Sequence, residues 1–418
     1  MRARLAANPL PVVLFTIFVD LIGFGILIPV IPLLLANPHS PYYLLPVNAS
    51  IKHGYIILGY LVAIFPFMQF LATPILGQLS DKYGRKKILA ISLFGTCLSY
   101  LVFALGIILR NIPLLFLARG FDGITGGNLS VAQAAIADVT KPENRAKSFG
   151  MIGAVFGLGF IIGPFIGGKL SDPNIVSWFS ATTPFYFAAA LSFLNVIFVL
   201  TLFPETLANL QHHIEIDFSR SIHNIIRAFS IPGLKAIFAT VFLFQAGFGF
   251  FVGFFSVFLI TRFNFNQGNI GDFFAYVGIW IAFSQAVVTR RVTHYFSEVQ
   301  ILRFSLIATG VLIAVYLLPT VSWQLLLITP FFAMANGLSQ ANTVALVSRS
   351  VGPEIQGEVL GLNASVMALA QSIPPVLSGH IAAQLSPEAP IVVSSFVILI
   401  GGLVFVSFYR AKQIKPQE

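Results

Sequence analysis

The chain has 418 residues, 57% of them hydrophobic and 9% charged, with a mean hydropathy of +0.88. Soluble domains carry about a quarter charged residues, so this composition excludes a soluble globular class and requires lipid around most of the surface. Lys and Arg outnumber Asp and Glu by 24 to 15, a balance that would suit nucleic acid until its distribution is read, and the single Cys97 excludes an internal disulfide framework.

Apolar runs long enough to cross a bilayer fall near residues 10–36, 54–80, 88–109, 113–138, 148–170 and 182–203, and again near 236–261, 271–290, 299–319, 323–348, 358–384 and 391–409. The expected fold is an all-α integral membrane protein of twelve transmembrane helices in two pseudo-symmetric six-helix halves, residues 1–203 and 236–418, joined by a polar linker over 204–235. Basic residues crowd one set of loops and both termini, whereas the opposite loops hold only Lys52, Arg110, Lys169 and Arg262. That is a positive-inside pattern, which places both termini in the cytoplasm and accounts for the net charge without nucleic acid. The first run is too long for a signal-peptide core and lacks a small-residue cleavage site, so it is expected to stay as a helix.

The densest polar stretch is Gly77-Gln78-Leu79-Ser80-Asp81-Lys82-Tyr83-Gly84-Arg85-Lys86-Lys87, between the second and third runs. Its basic residues hold it on the cytoplasmic side, and Gly77 and Gly84 allow a tight turn and a close helix approach. Pro142-Glu143-Asn144-Arg145-Ala146-Lys147-Ser148-Phe149-Gly150 lines up with Pro353-Glu354-Ile355-Gln356-Gly357-Glu358-Val359-Leu360-Gly361, about 210 residues later. A parallel repeat of this kind puts a substrate site near midplane between two halves.

Asp20 lies about ten residues into the first run, and Arg119 lies ~9 Å below the far boundary of the fourth at ~1.5 Å per residue. Asp122 follows on the same helix face. Charges at such depth are costly and face the bundle interior or one another. Asp20, Arg119 and Asp122 are therefore expected to line a cavity as a cluster with one unbalanced acid, the property a proton carrier needs. In the fifth run Gly150, Gly159, Gly163, Pro164, Gly167 and Gly168 predict close helix contact and a bend.

The charged loop, with spacing G-x-L-x-D-x-x-G-R-K, and the glycine helix resemble signatures of the major facilitator superfamily, the second being its proton-coupled antiporter motif. With Asp20 through Pro32, Met68-Gln69-Phe70, Arg119, Gly123-Ile124-Thr125-Gly126, Ile136-Ala137-Asp138 and Pro204-Glu205-Thr206, the chain is most similar to the tetracycline/proton antiporter branch. The resemblance implies that Asp81, Arg85 and Asp138, with Gly77, Gly84 and Lys86 around them, form a gating loop. It further implies that Asp20 and Arg119 serve proton coupling and that Gln69 faces substrate. Three groups tied to tetracycline exchange in that branch are replaced by Ser99, Ile281 and Thr309, so tetracycline is expected to be a poor substrate.

Amides supply the remaining candidates for a substrate cavity: Asn128 and Gln133 in the first half, and Gln245, Gln285, Asn336, Gln340, Asn342, Asn363 and Gln371 in the second. Amides orient a ligand without selecting charge, which favours a large, amphipathic, neutral or weakly cationic molecule. Of the 43 phenylalanines most are expected to face lipid, with Phe248 to Phe258 as a candidate aromatic lining. The expected function is proton-coupled secondary active export of amphipathic small molecules, with export of an endogenous metabolite such as a siderophore as the alternative. No hydrolase or metal-site motif occurs, which disfavours an enzyme. A non-transporting receptor would not need the glycine helix or the unbalanced acid. A monomer in the bacterial inner membrane, using the proton gradient and no cofactor or metal, completes the expectation.

Overall fold

The computed structural model describes residues 9–46, 48–140, 145–207, 210, 216–231, 233–352 and 356–409. In order come α1 (Leu10–Leu35), α2 (Ile51–Tyr83), α3 (Arg85–Ile108), α4 (Ile112–Thr125), α5 (Asn128–Val139), α6 (Arg145–Leu170), α7 (Thr183–Leu202) and α8 (Arg220–Ser230). They continue as α9 (Lys235–Phe263), α10 (Gln267–Phe283), a π-helical segment (Ser284–Thr289), α11 (Arg290–Tyr295), α12 (Glu298–Val315), α13 (Trp323–Arg349), α14 (Gln356–Gln384) and α15 (Ala389–Phe408). Among the described residues nine helical stretches are long and apolar enough to cross a membrane. The α4–α5 pair, α6 and α13 occupy the other three expected positions, so twelve spans accommodate the chain.

Local chemistry sets where these helices begin. Asn111 caps α4 through its side chain with Pro113 in the first turn, and capping boxes start α10 at Asn266 and α12 at Ser297. Each cap satisfies amides that a helix start leaves without partners. One feature departs from the sequence reading. The fourth span is broken at Gly126 and Gly127 into α4 and α5. The polar interval carries an amphipathic helix, α8, with Ser221 and Ala228 buried while Ile222 and Ile226 stay exposed. The repeated Pro-Glu segments at 142–144 and 353–355 lie outside the described residues.

α6 packs along α1 and α10, α2 along α14, α3 along α7, and α9 against α14 and α15. The first six spans therefore meet the last six chiefly through α2 with α14 and α6 with α10. At the end remote from the charged loop these seams close backbone on backbone. A Cβ on Gly379 would come within 3.3 Å of the Cα of Gly59, and one on Gly168 within 2.9 Å of the Cα of Gly271. Tyr60 and His380 make a 3.3 Å hydrogen bond there, and Lys169 pairs with Asp272 at 2.9 Å. The expected aromatic lining is core instead: Phe251, Phe254, Phe255 and Phe258 are buried, and Phe251 and Phe255 pack with Tyr316 in an aromatic cluster that also includes Phe273 and Phe332. Aromatic groups can fill that volume with large contact areas and offset or edge contacts.

Candidate functional site

The charged loop is built around the α2–α3 junction. Gly84 adopts φ +99°, where a side chain is strained, and a Cβ would run into the Glu205 carboxylate. That carboxylate sits on the N-terminus of α3, accepting from the Arg85 amide at 3.0 Å and the Lys86 amide at 3.2 Å. A negative group there satisfies helix-start donors and meets the positive end of the helix dipole. Arg85, 6% exposed, reaches back along α2 to Asp81 at 2.7 Å and Ser80 at 2.5 Å and sideways to Asp138 on α5 at 3.1 Å. Thr206 adds a hydroxyl to the same Asp138 oxygen at 3.3 Å. Asp81, Arg85 and Asp138 are thus brought together as the resemblance implied. Gly77 faces Ser130 of α5 with room to spare, and Lys86 contributes its backbone to the Glu205 cap.

Deeper in the bundle, Arg119 and Asp122 form a buried ion pair at 2.7 Å, 3% and 4% exposed. The guanidinium also lies 4.4 Å from the Phe65 ring, a favourable place for a delocalised cation. Asp20, on the facing helix α1, is not paired with Arg119: among the described residues it makes no salt bridge, and its Oδ1 is buried without a partner. Its polar surroundings are Asn128, Asp122 and the Tyr100 hydroxyl. The three charges are therefore a closed pair and a separate acid, and the expected shared cavity lining is corrected for Arg119 and Asp122, which are enclosed.

The glycine helix explains how α1 comes so close. A Cβ on Gly159 would meet Leu21, one on Gly163 would come within 2.8 Å of Gly25, and Gly167 faces Ile26. At this four-residue spacing the glycines form one stripe against α1. Pro164 turns its carbonyl toward Gly271, and Gly168 also faces α10, so the helix is wedged between the two sets of spans. Gly150 begins the motif within α6.

The amides separate into groups with different roles. Gln245, 3% exposed, donates to Gln340 at 3.0 Å and accepts from Gln371 at 3.3 Å, which links α9, α13 and α14. Asn342 donates to the Leu338 carbonyl of its own helix, and Asn363 donates to the Met367 sulfur. Asn336 is 2% exposed and its Oδ1 has no partner. Gln285, in the π-helical segment, faces Gly157 of α6, and Gln133 is half-buried on α5. Gln69 is used structurally: it donates at 2.8 Å to the Gly126 carbonyl, a group at the break in the fourth span. Asn128, at 1% exposure, is buried beside Asp20. For Asn128 enclosure replaces the expected access to substrate, whereas Gln69 stays half-buried.

Sequence reasoning missed the partners Phe65, Tyr100 and Glu205. An aromatic or tyrosine within an apolar run carries no signal of its own. Glu205 stood in a recognised tripeptide, but only the fold places it on a helix start about 120 residues away in the chain. The three replaced positions are all buried. Ser99 donates to the Thr96 carbonyl at 2.7 Å, Thr309 donates to Ser305 at 2.7 Å, and Ile281 lies in the apolar core. None restores a charge.

Comparison with known proteins gives the same answer as this geometry. The chain is 31% identical over 377 residues to the class H tetracycline resistance protein of Pasteurella multocida, with 88% of each chain covered. It is 27% identical to multidrug resistance protein 2 of Bacillus subtilis over 94% of each. In three dimensions it superposes on the human organic anion transporter MFSD10 (TETRAN) with a TM-score of 0.72 at 23% identity, covering 95% of this chain and 98% of that one. The Major Facilitator Superfamily model matches residues 13–373 and 291–418. With matched motifs, a matched fold and relatives spanning almost the full length, this chain is a multi-pass membrane protein acting on small molecules, not an enzyme, and belongs to the Major Facilitator Superfamily.

Proposed function

We propose that the chain is a proton-coupled exporter of amphipathic small molecules, working by alternating access as a monomer in the bacterial inner membrane. Both termini and the charged loop lie on the cytoplasmic side, the proton gradient is the only energy source, and neither a cofactor nor nucleic acid takes part. The observation that carries the reading is Asp20, an acid with a buried, unpartnered oxygen beside an Arg119–Asp122 pair that already satisfies itself. A lone intramembrane acid with an unpartnered buried oxygen is a poor structural element. It is a good proton carrier, because any change in its surroundings between two states changes its hold on the proton. An inward proton supplies roughly 2.3 kcal/mol per 100 mV and about 1.4 kcal/mol per pH unit, enough for accumulation on the order of several hundred-fold.

Tetracycline and multidrug resistance relatives support the substrate class, and the Gln245–Gln340–Gln371 chain supports neutral recognition over charge selection. The test uses proteoliposomes with an imposed pH gradient and ethidium as the amphipathic probe. The parent should concentrate ethidium against its gradient, and Asp20→Asn should equilibrate it without concentrating it. Uphill transport by Asp20→Asn at the parent rate would overturn the reading.

A further inference from the structure

We propose that Asn128 is a positioning residue for the proton carrier: a neutral partner that Asp20 engages in one state and releases in the other, as α5 turns about the joint at Gly126 and Gly127. The inference rests on the reading of Asp20 as carrier and names the residue that couples it to the charged loop.

Asn128 is 1% exposed, yet both its Oδ1 and its Nδ2 lack a partner. It lies within hydrogen-bonding reach of Asp20, but no bond between the two meets normal geometry, so the contact is a loose one. Buried polar atoms are nearly always satisfied, so poorly used atoms on two neighbouring side chains mark a contact that is loose in this state and can tighten or part in another. An amide suits the role because it donates to a carboxylate and accepts from a carboxylic acid, serving both protonation states with a small rotation. The titratable groups set against Asp20 are Tyr100 from α3 and Asp122, with its partner Arg119, from α4. Nearby on α1, Leu21 meets Gly159 of α6 and Thr16 donates to Asn195 of α7, both of them neutral.

Placement gives the amide its leverage. Asn128 is the first residue of α5, directly after the break, and Asp138, near the other end of the same 12-residue helix, holds Arg85 of the charged loop. α5 is hinged on α2: Gln69 caps the Gly126 carbonyl, Ser130 donates to the Thr73 carbonyl at 2.9 Å, and a Cβ on Gly127 would come within 3.0 Å of the Thr73 amide. Loss of a proton at Asp20 draws or frees the Asn128 end of this lever, and the Asp138 end moves the latch.

Infrared difference spectroscopy of purified protein, titrated without substrate, reads the carboxylic-acid band directly. A band lost in Asp20→Asn identifies the carrier, and Asn128→Ala should move its midpoint by one pH unit or more while Asn128→Ser keeps it near the parent. Asn128→Asp, a near-isosteric control should the alanine variant fold poorly, should also displace the midpoint by at least one unit. A band that survives Asp20→Asn overturns the carrier reading itself. A band lost there but unmoved in both Asn128→Ala and Asn128→Asp overturns only the role of Asn128.

Discussion

The N-terminal charged loop and its C-terminal counterpart show how one architectural position can be maintained or let go. In the first six spans, Arg85 ties Asp81 on α2 to Asp138 on α5, and Glu205 locks the turn from a third element. In the last six, the equivalent stretch Arg290-Arg291-Val292-Thr293-His294-Tyr295-Phe296-Ser297 follows a π-helical segment and begins as the short α11, which has no buried residue. The ion pair there is instead Arg349 with Glu298, between the end of α13 and the start of α12, and Arg349 is largely exposed. Screened, solvated pairs contribute little, whereas an enclosed one costs several kcal/mol to break from one side. The charge chemistry has gathered in the first half. The second half has an aromatic core and an amide chain, groups that bind without titrating.

That division can be broken by substitution, starting with the largest effect. Arg85→Ala should leave the partly exposed Asp81 and Asp138 without their cation and lower stability by about 1–2 kcal/mol, below the cost of stranding a fully buried charge, read as thermal unfolding in detergent, with ethidium export lost. Equal stability to the parent would mean that the latch is ornamental. Asp81→Asn keeps the shape and removes a charge exposed at about a third of its surface. Export should fall roughly 5–150-fold, the range of a conformational coupling energy, with membrane-inserted protein unchanged on a blot.

A substitution in the amide chain sharpens the comparison from the other side. Gln245→Leu should raise the ethidium KM by about 2–10-fold, corresponding to one net hydrogen bond, and leave the pH profile of transport where it was. A displaced pH profile would show that proton coupling extends into the second half. Arg290→Gln should alter stability by less than about 0.5 kcal/mol, as expected of an exposed side chain away from any network. The smallest effect concerns α8, anchored on α2 by reciprocal bonds between Gln78 and Asp217. The Ser219 hydroxyl and amide hold the Asp217 carboxyl below the ordinary carboxylate range. A lowered folded value gives a contribution that is complete at neutral pH and lost only on acidifying through that value. Hydrogen exchange in α8 should therefore be unchanged between about pH 8 and about pH 5 once the intrinsic exchange rate is corrected.

The spans, the loop and the intramembrane charges were legible because each rests on a strong local signal: length of apolar run, density of Lys and Arg, and the cost of a buried carboxylate. The break in the fourth span was not, since Gly126 and Gly127 fit helix packing as readily as interruption, and both keep right-handed helical dihedrals. Gln69 was read as a cavity residue from the family resemblance, and Asn128 because an amide in an apolar run needs a polar neighbour. Sequence alone does not say whether that neighbour is a ligand, a freed carbonyl or an acid on another helix. Of Asp20, Arg119 and Asp122, the second and third pair at the i, i+3 spacing and Asp20 is left over, whereas their enclosure was not readable. Helical spacing fixes the Arg119–Asp122 contact, whereas the distance from α1 depends on how deeply the glycine stripe of α6 lets α1 settle.

The bare-backbone seams remote from the charged loop carry a kinetic consequence. Where Gly59 meets Gly379 and Gly168 meets Gly271, closing this side fixes no side chain of its own, so the entropic toll of reclosure falls on the flanking Tyr60–His380 and Lys169–Asp272 contacts. The charged-loop side must remake the Asp81–Arg85–Asp138 ion pairs on every cycle, and turnover is expected to be paced there. Such a seam also suits an efflux protein meeting bulky cargo of varied shape, because a smooth rim imposes no outline on what leaves.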